Sequence, residues 1–212
     1  MSGLPLRFLL GAILVAMFPV AAFMVSGATT ETAPASTAEP ATGATTVSGV
    51  ALLRPREGLF VAGQPGAGDW SALAASGVRT VVNLRPEGEL KGRDERAEVA
   101  AAGMRYVELP VSGPADITPE NAKALSALLA QADGPVLVHC ASGNRVGGLL
   151  AVAMAQNGMS TAQALEFGRS AGMKSIEGRA REVIEQAVER DAPARCVAAR
   201  DTADPSQCAA GG

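Results

Sequence analysis

The sequence predicts a single α/β domain with a mostly parallel central sheet flanked by helices, and three observations carry that expectation. Short apolar runs of strand length, at 59–62, 78–84, 104–109 and 136–139, alternate with segments of helical period. The chain has 212 residues, 48% of them hydrophobic and 3% aromatic, which suits one ordinary domain with appendages. The last run, Val136-Leu-Val-His139, leads through Cys140 and a glycine-bearing turn into a further helix. Such strand–loop–helix junctions lie at the ligand-binding edge of parallel sheets.

In chain order, residues 1–28 read as a signal peptide or a membrane anchor. One basic residue, Arg7, precedes an uncharged apolar run at 8–25, and Ser26-Gly27-Ala28 has the small residues of a cleavage site. The run is longer than a usual signal core and slightly short for a span, so both readings stand. Either one exports the domain to the periplasm or anchors it to the inner membrane facing that space. Residues 29–48, rich in Ala, Thr, Pro and Glu, read as a flexible tether.

The domain is expected over 49–191. After the strand at 59–62, Asp69 is expected to cap a helix over 70–75 that Gly77 stops. The β-branched run at 78–84 suggests a central strand ended by Arg85-Pro86. A charged helix lies within 87–102, a strand at 104–109, and an aperiodic loop at 110–117. Thr118-Pro119-Glu120 opens a helix with an N-cap, a proline at N1 and an acidic residue suited to the dipole. Helices follow at 145–157, 161–170 and 177–190. Gly147 and Gly148 sit inside the first of these, where close packing on the sheet explains them better than ligand contact. Residues 192–212 read as a polar tail.

The turn after Cys140 carries the chemistry. A loop closing into a helix aims backbone N–H groups and the positive end of the dipole at one small volume, so Ala141, Ser142, Gly143, Asn144 and Arg145 form an anion cradle. The same field favours the thiolate of Cys140, and the planar guanidinium of Arg145 suits an oxyanion. Of three cysteines, Cys196 and Cys208 fall in the tail, and a local disulfide there would stabilise by about 3 kcal/mol on the loop-entropy account. Cys140 is then the unpaired thiol. His139 is the single histidine, which leaves no cluster for zinc, and no Gly-rich nucleotide motif points to a cofactor. Neighbours on a strand face opposite ways, so His139 reads as support for the loop or as a buried structural histidine rather than a base for Cys140. A net charge of −3 without a basic run excludes the footprint of a nucleic-acid binder.

Gly63-Gln-Pro65, Val81-Val-Asn-Leu-Arg-Pro-Glu-Gly-Glu89, Tyr106-Val-Glu-Leu-Pro-Val111 and the stretch from Val136 to Arg145 together resemble the beta-lactamase hydrolase-like phosphatase domain, akin to dual-specificity and tyrosine phosphatases. The resemblance implies a nucleophilic Cys140, phosphate held by the loop amides and Arg145, and a phosphocysteine hydrolysed by water. It also implies a general acid on a preceding loop, for which Asp116 is the choice. Arg85, oriented by Glu89, is expected to contact the substrate anion or to form a surface ion pair. The substrate would be a phosphorylated protein or a small phosphoester. The loop holds four residues between cysteine and arginine where tyrosine phosphatases hold five, and Val146 replaces their Ser or Thr. A loop this short also resembles single-domain rhodaneses. A sulfurtransferase with a Cys140 persulfide and a non-catalytic anion-binding module are therefore the alternative readings.

Overall fold

The computed structural model describes residues 43–201, with side chains described for 43–190. The apolar run at 8–25, the cleavage site, the tether up to residue 42, and the pairing of Cys196 with Cys208 lie outside what is described. Among the described residues no helix is long and apolar enough to cross a membrane.

Six strands form one sheet: β1 (Gly43–Val47), β2 (Val50–Arg56), β3 (Leu59–Ala62), β4 (Thr80–Asn83), β5 (Arg105–Glu108) and β6 (Val136–His139), in the order β1-β2-β3-β6-β4-β5. Strands β3, β6, β4 and β5 run parallel, while β1 and β2 join antiparallel at one side. The helices are α1 (Trp70–Ala75), α2 (Glu95–Ala101), α3 (Pro119–Ala130), α4 (Asn144–Gln156), α5 (Thr161–Ser170) and α6 (Glu177–Asp201).

Period-two alternation along the parallel strands sends their side chains into two cores. Val61, Val82, Val138 and Cys140 face α3 to α6, with Leu125, Leu149, Leu165 and Ile184. Phe60, Val81 and Leu137 face the other way, with Trp70, Leu73, Val99 and Met104. Ala62, His139 and Asn83 lie in register across β3, β6 and β4. The chain therefore leaves these strands at one edge, where Gly63, Arg85 and Cys140 follow.

Several expectations need correction. The end of the expected tether is strand β1, which pairs with β2 through a two-residue turn whose Ser48 and Gly49 both take positive φ, 51° and 86°. β-Branched Thr45, Thr46 and Val47 suit that strand, and the hairpin buries Val50 and Leu52. The polar tail expected from residue 192 begins as helix, since α6 continues to Asp201. Asp69 makes no side-chain bond to α1; its Oδ2 accepts from the Gly66 amide at 2.6 Å and closes a local turn. Thr118 does cap α3, its hydroxyl accepting from the Asn121 amide. Gly147 packs on α5 and, like Gly148, on the segment between α5 and α6, rather than on the sheet. A Cβ at Gly147 would lie 2.3 Å from Met173 N, and one at Gly148 2.6 Å from Ile176 Cγ2.

Candidate functional site

Strand β6 is buried along its length and delivers Cys140 to the sheet edge at 1% exposure. Beyond it Ala141 and Ser142 are exposed, so they form the mouth above a covered thiol. Gly143 turns the chain into α4 with φ +83°, a left-handed conformation that glycine adopts at little cost. This turn points the Gly143 N–H at Cys140 Sγ, 3.1 Å away. The loop is braced on both sides. The Gln64 amide donates to Ala141 O at 3.3 Å, and a Cβ at Gly63 would stand 3.1 Å from the same oxygen, so the 63–65 segment lies against the loop. Opposite, Asn144 Nδ2 donates to Ser175 Oγ at 2.9 Å and Asn144 Oδ1 accepts from the Lys174 amide at 2.7 Å. Asn144 thus fastens the loop to the turn between α5 and α6.

Arg145 sits in the first turn of α4. Its Nη1 and Nη2 bind the two Glu89 carboxylate oxygens, each at 2.8 Å, and Nη1 also donates to Val111 O at 2.7 Å. Those bonds use three of the five N–H groups of a guanidinium. Among the described residues the Nε–H and the second Nη2–H bond no carboxylate or carbonyl, and they lie side by side on one edge of a planar fork. The Arg145 pKa is raised, first by its bond to Glu89, against the opposing effect of burial, and then by Cys140 beside it. Glu89 is held below the ordinary carboxylate range, chiefly by Arg145, with burial opposing and Arg85 assisting.

Arg85 makes the ion pair with Glu89 that was one of its two expected roles. Its Nε bonds Glu89 Oε2 at 3.1 Å, its Nη2 bonds Glu89 O at 2.5 Å, and its Nη1 bonds Gln64 Oε1 at 2.7 Å. Three of its five N–H groups bind Glu89 and Gln64, so Arg85 holds Glu89 in place. A cavity of about 270 Å³ lined in part by Asn83, Arg85, Glu95 and Tyr106 adjoins this cluster, and Cys140 is not in its wall.

His139 faces the opposite core from Cys140, as strand parity requires. It is fully buried, 2.9 Å from Glu95 Oε1 through Nε2, and its ring centroid is 6.1 Å from that of Trp70. The approach has ion-pair distance without hydrogen-bond geometry, and both ring nitrogens lack a directed partner. Burial opposes ionisation of Glu95, yet His139, Gln64 and Tyr106 outweigh it and hold the carboxyl below its usual range. Asp116 closes a 3₁₀ turn, Pro114–Asp116, and its Oδ2 accepts from the Ser112 amide at 2.7 Å. The same loop supplies Val111 O to Arg145. Val146 is fully buried in the core beneath α4.

Sequence reasoning missed Gln64 and Glu95 as parts of the cluster. Gln64 carries a signal, because Gly63-Gln64-Pro65 follows a buried strand at the edge that also releases Cys140. Glu95 carries none, being one acidic residue among several in a charged helix.

Comparisons with known proteins follow this geometry. Residues 53–158 match the family described as beta-lactamase hydrolase-like protein, phosphatase-like domain. A beta-lactamase hydrolase-like protein of Agrobacterium fabrum is 38% identical over 125 residues, which cover 57% of this chain and 29% of that protein. The dual specificity protein phosphatase TpbA of Pseudomonas aeruginosa is 32% identical over 150 residues, 69% of this chain and 62% of that protein. The chain thus spans less than a third of the first relative and less than two thirds of the second. Among solved structures, a candidate phosphatase of Shewanella putrefaciens superposes with a TM-score of 0.51 at 25% identity, covering 66% of this chain and 89% of that one. One from Neisseria meningitidis superposes with a TM-score of 0.54 at 23% identity, covering 61% and 95%, a likeness of fold alone.

Proposed function

The chain belongs to the phosphatase-like domain family of beta-lactamase hydrolase-like proteins, and from that premise we propose that it is a cysteine-dependent phosphomonoester hydrolase. The observation that carries the reading is the placing of Arg145 beside Cys140, with Glu89 and Val111 O holding one side of the guanidinium and its Nε/Nη2 edge left to a ligand. A fork fixed in this way binds two oxygens of a phosphate without reorganising as the reaction proceeds.

In the proposed reaction the Cys140 thiolate attacks phosphorus in line. The S–P bond forms as the ester O–P bond breaks, and Asp116 donates its proton to the leaving oxygen. Asp116 then accepts a proton from water, whose oxygen displaces the thiolate and releases inorganic phosphate. The name of the Pseudomonas relative supports a phosphorylated protein as substrate, and a small phosphoester fits the same loop. The apolar run that follows Arg7 supports export, with periplasmic or inner-membrane fractionation of the expressed chain as its check.

The test is hydrolysis of p-nitrophenyl phosphate by the full chain beside Cys140→Ser and Asp116→Asn. Activity should vanish with Cys140→Ser. Asp116→Asn should slow a poor leaving group by on the order of 10²- to 10⁴-fold and spare a good one. Hydrolysis that survives Cys140→Ser refutes the mechanism. The four-residue loop favours a second reading, a rhodanese-type sulfurtransferase. Transfer of sulfur from thiosulfate to cyanide, without phosphate release, would select it.

A further inference from the structure

Gln64 spans two opposite charges. Its Oε1 accepts from Arg85 Nη1 at 2.7 Å, and its Nε2 donates to Glu95 Oε2 at 2.5 Å and to Pro65 O at 3.1 Å. Charge fixes the amide orientation, since a flip would turn its oxygen on the carboxylate and its NH₂ on the guanidinium. The segment around it is held as well. Arg93 donates to Pro65 O at 2.9 Å and pairs with Glu98, whose carboxylate accepts from Trp70 Nε1. An unbroken series of polar contacts therefore runs from His139 and Glu95 through Gln64 to Arg85, Glu89 and Arg145. The backbone of Gln64 also braces the Cys140 loop at Ala141 O.

We infer that Gln64 is a positioning residue for anion binding: its amide joins the buried Glu95 to Arg85, and so sets the clamp on Glu89 that aims the open edge of Arg145. The inference rests on the anion-binding reading of the Cys140 loop. Gln64 touches no reacting atom, and its role depends on having a carbonyl at one end and an N–H at the other. Tyr106 from β5, His139 from β6 and Arg93 before α2 also act on Glu95. None of them joins Glu95 to Arg85.

The experiment measures inorganic phosphate affinity of the full chain by calorimetry between pH 5 and 8.5, each variant being compared with wild type at the same pH. Gln64→Leu should weaken binding at every pH, by up to about 10²-fold if the Arg145 edge moves by an ångström. Gln64→Glu places two carboxyls in contact, and such a pair holds one proton between them until the pH rises. That variant should bind as wild type at pH 5 and as Gln64→Leu at pH 8.5. The exchange Gln64→Glu with Glu95→Gln restores one acid and one amide, and should remove the pH dependence. Gln64→Leu with wild-type affinity, or Gln64→Glu that follows wild type across the range, overturns the inference. Failure of the hydrolase reading is separate, because wild type would then bind phosphate without hydrolysing p-nitrophenyl phosphate.

Discussion

Replacing His139 by leucine asks whether its approach to Glu95 is an electrostatic requirement of the fold. The two side chains are 0% and 4% exposed and 2.9 Å apart. Leucine keeps the apolar bulk against Trp70 and leaves Cys140, on the other face of the sheet, untouched. What it removes is the imidazole ring beside a carboxylate that would remain buried. Losing one member of such a pair costs about 3–5 kcal/mol, a large part of a typical stability of roughly 5–15 kcal/mol. At about 2–4 °C per kcal/mol for a domain of this size, Tm should fall by roughly 10 °C. The pH dependence has a definite sign. Burial raises the Glu95 pKa, but its partners, His139 foremost, bring it below 4.5 in the folded protein. The carboxylate therefore stabilises the fold above the unfolded pKa, and that contribution is lost as pH falls through the folded value. Without His139, burial prevails and the sign reverses. The gap between wild type and variant should be widest near neutrality and close as pH drops below about 4, near the ordinary carboxylate value. Urea unfolding across that range, in a cycle with Glu95→Gln, measures it. A gap independent of pH, or additive single variants, would refute the reasoning.

Three further outcomes follow from the same geometry. Gly147→Ala should destabilise by about 1–3 kcal/mol despite its better helix propensity, because the added Cβ meets the backbone at Met173 N, 2.3 Å away; unchanged thermal unfolding would contradict this. Glu89→Ala releases the far edge of Arg145, so KM for p-nitrophenyl phosphate should rise by about 10-fold and more than kcat falls, as expected for loss of a charge-assisted pair. An unchanged KM would mean that Arg145 holds its orientation without Glu89. Tyr106 is the single tyrosine, and burial pushes its hydroxyl up to about 12. Ultraviolet titration of the folded protein should show no phenolate below about pH 11, and a midpoint near 10 in folded protein would refute the burial account.

The parallel part of the fold was legible because its signals are local. Val136 to His139, Trp70 to Ala75 and Thr161 to Ser170 are bounded by punctuating residues, and the structure gives those spans. Strand β2 was hidden by Pro55, which breaks the strand pattern where the pairing with β3 shifts between Leu53 and Arg56. Strand β1 was hidden by the small, polar composition it shares with the residues before it. At the site, the strand-to-helix loop could be read because glycine and arginine follow a cysteine at the end of an apolar run. The partners of that loop could not. Gln64 and Val111 reach it from the ends of β3 and β5, Glu95 bonds Gln64 from the start of α2, and contacts between separate crossovers leave no periodicity to detect. The second arginine shows the same limit: its edge and its pairing with Glu89 were readable, but its bond to Gln64 was not.

Gly147 and Gly168 have a consequence beyond packing. A Cβ at Gly168 would lie 2.8 Å from Gly147 O, so the backbones of α4 and α5 approach with no side chain between them. Contact this close removes the slack by which α4 could slide or roll along its neighbour. The partial positive charge at the start of α4 then acts as a fixed electrode rather than an adjustable one. An arriving anion meets dipoles already oriented, and the free energy of orienting them is spent once, at folding, instead of at every catalytic cycle. Two residues without side chains, neither of them in the loop itself, thereby set how little the loop must move to do its work.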